Sequence, residues 1–131
     1  MNLYFDIDGT LITRNGLPAP HLKEFLERAT ARHDCFWLTT HCRGGENRAE
    51  EYLRRILPEE YWQYLQYFMP TDWNALKTEA IDFTKDFRWF DDYIFEAEKE
   101  VLKKHWCASK FVQIDLVNHP SQLQDLMKLL P

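Results

Sequence analysis

Six polar residues stand where apolar runs stop: Asp6 and Asp8 after Leu3-Tyr4-Phe5, Thr39 and Thr40 after Cys35-Phe36-Trp37-Leu38, and Asp91 and Asp92 after Phe87-Arg88-Trp89-Phe90. Lys77 lies between the second and third of these groups. Along an extended segment residues i and i+2 project to the same side, so the Asp6 and Asp8 carboxylates can face one ligand. Two carboxylates about 4 Å apart repel by roughly 4 kcal/mol at an effective dielectric near 20, and a third acid raises that cost. A hard divalent cation relieves it, and Mg²⁺ is the usual choice where a substrate phosphate completes an oxygen coordination shell. Such a cation also lets an anionic carboxylate approach an anionic phosphorus. The Lys77 ammonium could reach the same rim, so acidic groups, a hydroxyl and a cation are candidates for one cleft.

For these residues to meet, the elements that carry them must converge. The run at Leu3–Phe5 is a strand, and Leu22, Phe25, Leu26 and Ala29 follow at helical spacing, with Pro20 in the first helical turn. Cys35–Leu38 is a second strand, and Ala49, Tyr52, Leu53 and Ile56 mark a second helix that stops before Pro58. The aromatic segment from Tyr61 to Trp73 reads as a short helix running into a strand near Tyr67–Met69. A helix is predicted over Asn74–Lys85, with Leu76, Ala80 and Phe83 inward and Lys77 near its start. Phe87–Phe90 is the next strand, followed by a helix carrying Ile94, Ala97, Val101 and Leu102. Phe111–Leu116 is a last strand, and Leu123, Leu126, Met127 and Leu130 line a terminal helix. Strands alternating with helices imply a mainly parallel sheet of about five strands covered on both faces, a three-layer α/β/α sandwich. The functional site of such a sheet lies at the carboxyl ends of the strands.

A chain of 131 residues, 45% hydrophobic and 15% aromatic, is read as one domain with ample core material, and neither disordered nor fibrous. Its net charge of −5 argues against a purely electrostatic nucleic-acid binder, which leaves nucleic acid as a substrate only. Three cysteines without CxxC spacing, no bilayer-spanning apolar run, and two aspartates within the first ten residues point to a cytoplasmic protein without a membrane partner.

Phe5-Asp6-Ile7-Asp8-Gly9-Thr10-Leu11 resembles the first motif of the haloacid dehalogenase-like (HAD) phosphohydrolases. Thr39 resembles their second motif, Lys77 their third and Asp91-Asp92 their fourth, in the same order and over essentially the whole chain. The resemblance implies a Rossmann-like HAD sheet and a Mg²⁺-dependent phosphatase. It makes Asp6 the nucleophile that becomes an aspartyl phosphate, and Asp8 the acid and then base of the two half-reactions. Mg²⁺ would be held by the Asp6 carboxylate, the Asp8 backbone carbonyl and Asp91, with Asp92 ligating or orienting a coordinated water. Thr39, or its neighbour Thr40, and Lys77 would hold phosphoryl oxygens. Within the family an acid at the position of Asp8 marks phosphatases. The stretches Gly9–His33 and Pro70–Leu76 are too short for the cap domain many members insert, which fits a phosphorylated substrate that is bulky, or a site closed by another subunit.

Other features receive structural readings. His41, Cys42, His105 and Cys107 lack the paired short spacings of a zinc site. The Tyr61–Trp73 aromatics are taken as core, Arg43 as an exposed loop residue, and Glu96, Glu98 and Glu100 as a solvated helix face. A response-regulator receiver, with an acidic pair first, a lone acceptor aspartate next and then threonine and lysine, resembles the chain less, because here a second acidic pair, Asp91-Asp92, comes after Lys77. A HAD-fold binding module without turnover is the alternative function.

Overall fold

The computed structural model describes residues 1–131. It runs β1 (Asn2–Phe5), α1 (Leu22–Arg32), β2 (Asp34–Trp37), β3 (Cys42–Arg43), β4 (Glu46–Asn47), α2 (Ala49–Arg54), α3 (Trp62–Leu65), β5 (Phe87–Asp91), α4 (Glu96–Lys104), β6 (Phe111–Gln113) and α5 (Gln122–Leu126). The main sheet has four parallel strands in the order β2-β1-β5-β6. About five strands were expected; the segment Tyr67–Met69 contributes only an isolated parallel bridge from Met69 to Phe36 at the sheet edge. Gly44 and Gly45, at φ 63° and 82°, turn a two-stranded hairpin of β3 and β4, the backbone conformation that favours glycine at both central positions.

Alternation along the strands builds two cores. Leu3, Phe5, Cys35, Trp37 and Phe90 face one side, where Phe25 and Leu26 of α1, Leu53 of α2, Leu65 of α3 and Leu123 of α5 cover them. Tyr4, Phe87 and Trp89 face the other and pack with Trp73, Ile81 and Leu102 of α4. The four residues predicted to form the buried face of α1 are all buried, although the helix begins at Leu22, after Pro20. Cys35, Cys42 and Cys107 are free and buried. No helix is long and apolar enough to cross a membrane.

Two expectations fail for the same physical reason, competition by carboxylates for backbone amides. Only a 3₁₀ turn at Lys77–Ala80 forms in place of the helix over Asn74–Lys85. The Glu79 carboxylate accepts the N–H groups of Asn74, Ala75 and Leu76 at 3.0, 3.1 and 2.8 Å, and Asp82 accepts the N–H and the hydroxyl of Thr84, so the chain turns sharply at both ends of the segment. In α4, Glu98 is buried while Ala97 is exposed. Its Oε2 accepts the Lys77 N–H at 2.8 Å and its Oε1 the Phe95 N–H at 3.0 Å, so this acid belongs to the interior rather than to a solvated face.

Candidate active site

The parallel register sets the ends of β1, β2 and β5 level: Phe5 pairs with Trp37 on one side and Phe90 on the other. The residues that follow therefore emerge along one rim. The Asp6 N–H still pairs with the Phe90 carbonyl at 3.0 Å, which ties Asp6 to the last turn of the ladder beside Asp91. Carboxylate oxygens of Asp6, Asp91 and Asp92 lie within 4.8 Å of one another, the one cluster of three or more His, Cys, Asp or Glu side chains close enough to share an ion. Lys77 Nζ stands 2.6 Å from Asp91 Oδ2 and 3.5 Å from Asp6 Oδ1. Asp6, Lys77, Asp91 and Asp92 are thus brought together, from two strand ends and a 3₁₀ turn.

Burial governs the electrostatics of this group. Asp91 is only 1% exposed, and loss of hydration followed by the neighbouring Asp6 charge pushes its carboxyl up to about 8, against the pull of the Lys77 ammonium. Asp6 is also raised, mainly by burial. Burial alone would lower Lys77, but the Asp6 and Asp91 carboxylates outweigh it and hold the ammonium charged. Asp91 further accepts the Trp89 indole N–H at 3.3 Å and the Tyr93 N–H at 3.2 Å, which fix both its oxygens. An all-oxygen set of crowded carboxylates suits a hard dication, which would relieve the repulsion that raises Asp91.

Gly9 sets the position of Asp92. At φ +79° it adopts a left-handed conformation, and a Cβ there would stand 2.4 Å from Asp92 Oδ2. A tight turn surrounds it: the Ile7 carbonyl receives the N–H groups of Thr10, Leu11 and Ile12.

Asp8 and Thr39 lie outside this group. Asp8 is exposed, its carboxylate accepting the Tyr52 hydroxyl at 2.5 Å on Oδ1 and lying 3.0 Å from His41 Nε2 on Oδ2. Thr39 is buried, with its hydroxyl accepting the His41 N–H at 3.3 Å and its carbonyl accepting the Trp73 indole N–H at 3.2 Å. Its neighbour Thr40 is exposed and lines a cleft of about 280 Å³ with Asp6, Lys77, Asp91 and Asp92.

Four residues here were not among those taken from the sequence for the site. Arg43 lines the same cleft, its guanidinium 4.7 Å over the Trp73 ring and donating to the Asn74 carbonyl at 2.7 Å. Glu98 anchors the Lys77 backbone, and an acid at the centre of an apolar helix face, between Ile94 and Leu102, was the signal available for it. His41 and Tyr52 hold Asp8, and no spacing rule links them to it. Burial and the Asp8 carboxylate push the Tyr52 phenol up to about 12. The chain matches no family model, no curated protein and no solved structure.

Proposed function

We propose that the chain is a Mg²⁺-dependent phosphohydrolase of the HAD type, working through an aspartyl phosphate on Asp6. The observation that carries this reading is the convergence of Asp6, Asp91 and Asp92 within 4.8 Å, with the Lys77 ammonium against two of them, at the carboxyl ends of parallel strands. The proposal includes the three-layer sandwich of that superfamily, with Met69 at the position of a fifth strand, and a cytoplasmic setting in which three thiols stay reduced.

Asp6, Asp91 and Asp92 would hold the ion, with the Asp8 carbonyl. When bound, Mg²⁺ supplies positive charge that allows the phosphoryl group to approach the Asp6 carboxylate. The Lys77 ammonium neutralises part of the same charge, and Thr40 or Thr39 offers a hydroxyl to a phosphoryl oxygen. An Asp6 oxygen attacks phosphorus, the bond to the leaving oxygen breaks, and Asp8 gives that oxygen its proton. Asp8 then takes a proton from water, whose oxygen attacks the aspartyl phosphate and releases inorganic phosphate and free Asp6.

The loop from Asp6 to His21 and the segment between α3 and β5 carry only isolated bridges and a 3₁₀ turn, which supports a capless enzyme open to bulky phosphomonoesters. The test is a screen of p-nitrophenyl phosphate, sugar phosphates, nucleotides, phosphopeptides and phosphorylated oligonucleotide ends with Mg²⁺ or chelator. Asp6→Asn should lower turnover at least about a thousandfold while keeping the melting curve cooperative. Retained turnover in that variant, or activity indifferent to chelator, overturns the proposal; a null screen favours a binding module.

A further inference from the structure

Asp8 poses a mechanical problem for the reaction proposed above. A proton donor must lie within about 2.6–3.2 Å of the leaving oxygen. Yet the Asp8 side chain is 56% exposed and sits on a loop, where a free carboxylate would sample several rotamers. Two side chains from distant parts of the chain remove that freedom. Tyr52 of α2 donates its hydroxyl to Oδ1, and His41, from the turn after β2, reaches Oδ2 with Nε2 at 3.0 Å. The two rings stack with centroids 3.9 Å apart and planes inclined by 19°, so each holds the other in place.

The clamp is anchored to the framework through the backbone. The His41 N–H donates to the buried Thr39 hydroxyl, and its carbonyl accepts the Arg48 N–H at 2.7 Å. The Arg48 carbonyl in turn accepts the Tyr52 N–H at 3.0 Å, which connects the two clamping residues through the start of α2. A carboxylate oxygen has two lone-pair sites, so one contact on each oxygen leaves a site on each for substrate or water. His41 and Tyr52 also border a groove of about 480 Å³ with Arg48, Glu51 and Arg55.

We infer that His41 and Tyr52 are positioning residues that lock the Asp8 carboxylate in the orientation needed to protonate the leaving group. The inference rests on the phosphohydrolase reading. A lost proton donor matters most where the leaving oxygen is a poor leaving group, so the clamp is read from two substrates, phenyl phosphate and the much better leaving p-nitrophenyl phosphate. The quantity to compare is kcat/KM, which covers steps only through departure of the leaving group. Tyr52→Phe and His41→Gln should each lower kcat/KM on phenyl phosphate about tenfold or more, and at least about fivefold more than on p-nitrophenyl phosphate. In an Asp8→Asn background the same changes should add nothing, since the group they position is gone.

Equal losses on the two substrates, no loss, or a further loss in the Asp8→Asn background would overturn the clamp. If Tyr52→Phe does not fold, as judged by circular dichroism, His41→Gln carries the test alone. Asp6→Asn keeps the two readings apart. An inactive Asp6→Asn with flat clamp variants removes the clamp only; an active Asp6→Asn, or a wild-type chain inert to both phosphates in Mg²⁺, removes the phosphohydrolase reading and the clamp with it.

Discussion

The two halves of the candidate site are built on different physics. The inner half, Asp6, Lys77 and Asp91, is buried at strand ends and backed by Trp89 and Glu98. The outer half, Asp8 with His41 and Tyr52, is solvent-facing and held by hydrogen bonds and ring stacking. Charge in the inner half has lost its hydration, so each member depends on the others' charges, and carboxyls there are pushed upward. In the outer half water screens charge, and geometry is what the neighbours contribute. Loss of a partner should therefore register as stability in one half and as orientation in the other.

Lys77→Met breaks the inner half most directly. It leaves two buried carboxylates without their cation, for which a cost of about 3–5 kcal/mol is expected by urea denaturation at pH 8, shrinking toward pH 5 as the carboxyls take up protons. His41→Gln should cost less than about 1 kcal/mol in the same assay, because its contact with Asp8 is solvent-exposed. Similar costs for the two variants would erase the distinction between the halves.

The inner half should also leave its mark on the pH dependence of the metal-free protein. Asp91 ordinarily ionises near 3.8 and is raised to about 8 in the folded chain. Between those values the native state binds a proton that the unfolded state has released. The contribution is thus complete below about 3.8 and disappears as pH climbs through about 8. With chelator present, the Tm of the wild type should fall from pH 5 to pH 9 relative to that of Asp91→Asn, at roughly 4 °C per kcal/mol for a domain of this size. Parallel Tm profiles would mean that Asp91 is ionised throughout. Mg²⁺ should flatten the wild-type slope, since an ion bound to carboxylates displaces their protons.

Gly9 is the seam between the halves, adjacent to Asp8 in the chain and in contact with Asp92 in space. Gly9→Ala must hold an L-residue at φ +79° and push Asp92 aside, a backbone cost of about 1–2 kcal/mol. Because Asp92 is exposed and can swing away, stability should suffer only by that amount, whereas Mg²⁺ affinity by calorimetry should weaken. Unchanged affinity would take Asp92 out of the ion site.

The inner half was largely legible in the sequence and the outer half was not. A strand's last residue is announced by the end of its apolar run, and parallel pairing brings such ends to one rim, so Asp6, Asp91 and Asp92 could be assembled on paper. Lys77 was found through its place in the motif order even though the predicted helix around it proved to be a 3₁₀ turn. Periodicity cannot register the carboxylates of Glu79 and Asp82 competing for the amides of that segment. Glu98 was missed for another reason: its charge assigned it to a solvated face although its spacing put it on the apolar one, where its two amide partners hold it inside. Tyr52 sat correctly on the predicted inward face of α2, but that face meets Asp8 at its edge, and an aromatic residue at helical spacing reads as core. The strand expected near Tyr67–Met69 is reduced to one bridge between Met69 and Phe36.

The smallest effect is the most specific test of the outer half. Tyr52 is raised from an ordinary 10 to about 12, first by burial and then by its hydrogen bond to Asp8 and the Asp8 charge. Asp8→Asn removes the charge but not the burial. The phenol should therefore fall in ultraviolet difference titration, yet stay above 10, because the larger cause survives the substitution. His41→Gln leaves both causes in place and should move Tyr52 much less, although it loosens the stack. A Tyr52 titration indifferent to Asp8→Asn would mean that the hydroxyl does not rest on the carboxylate in solution; the outer half would then be two neighbours in contact rather than a grip on Asp8.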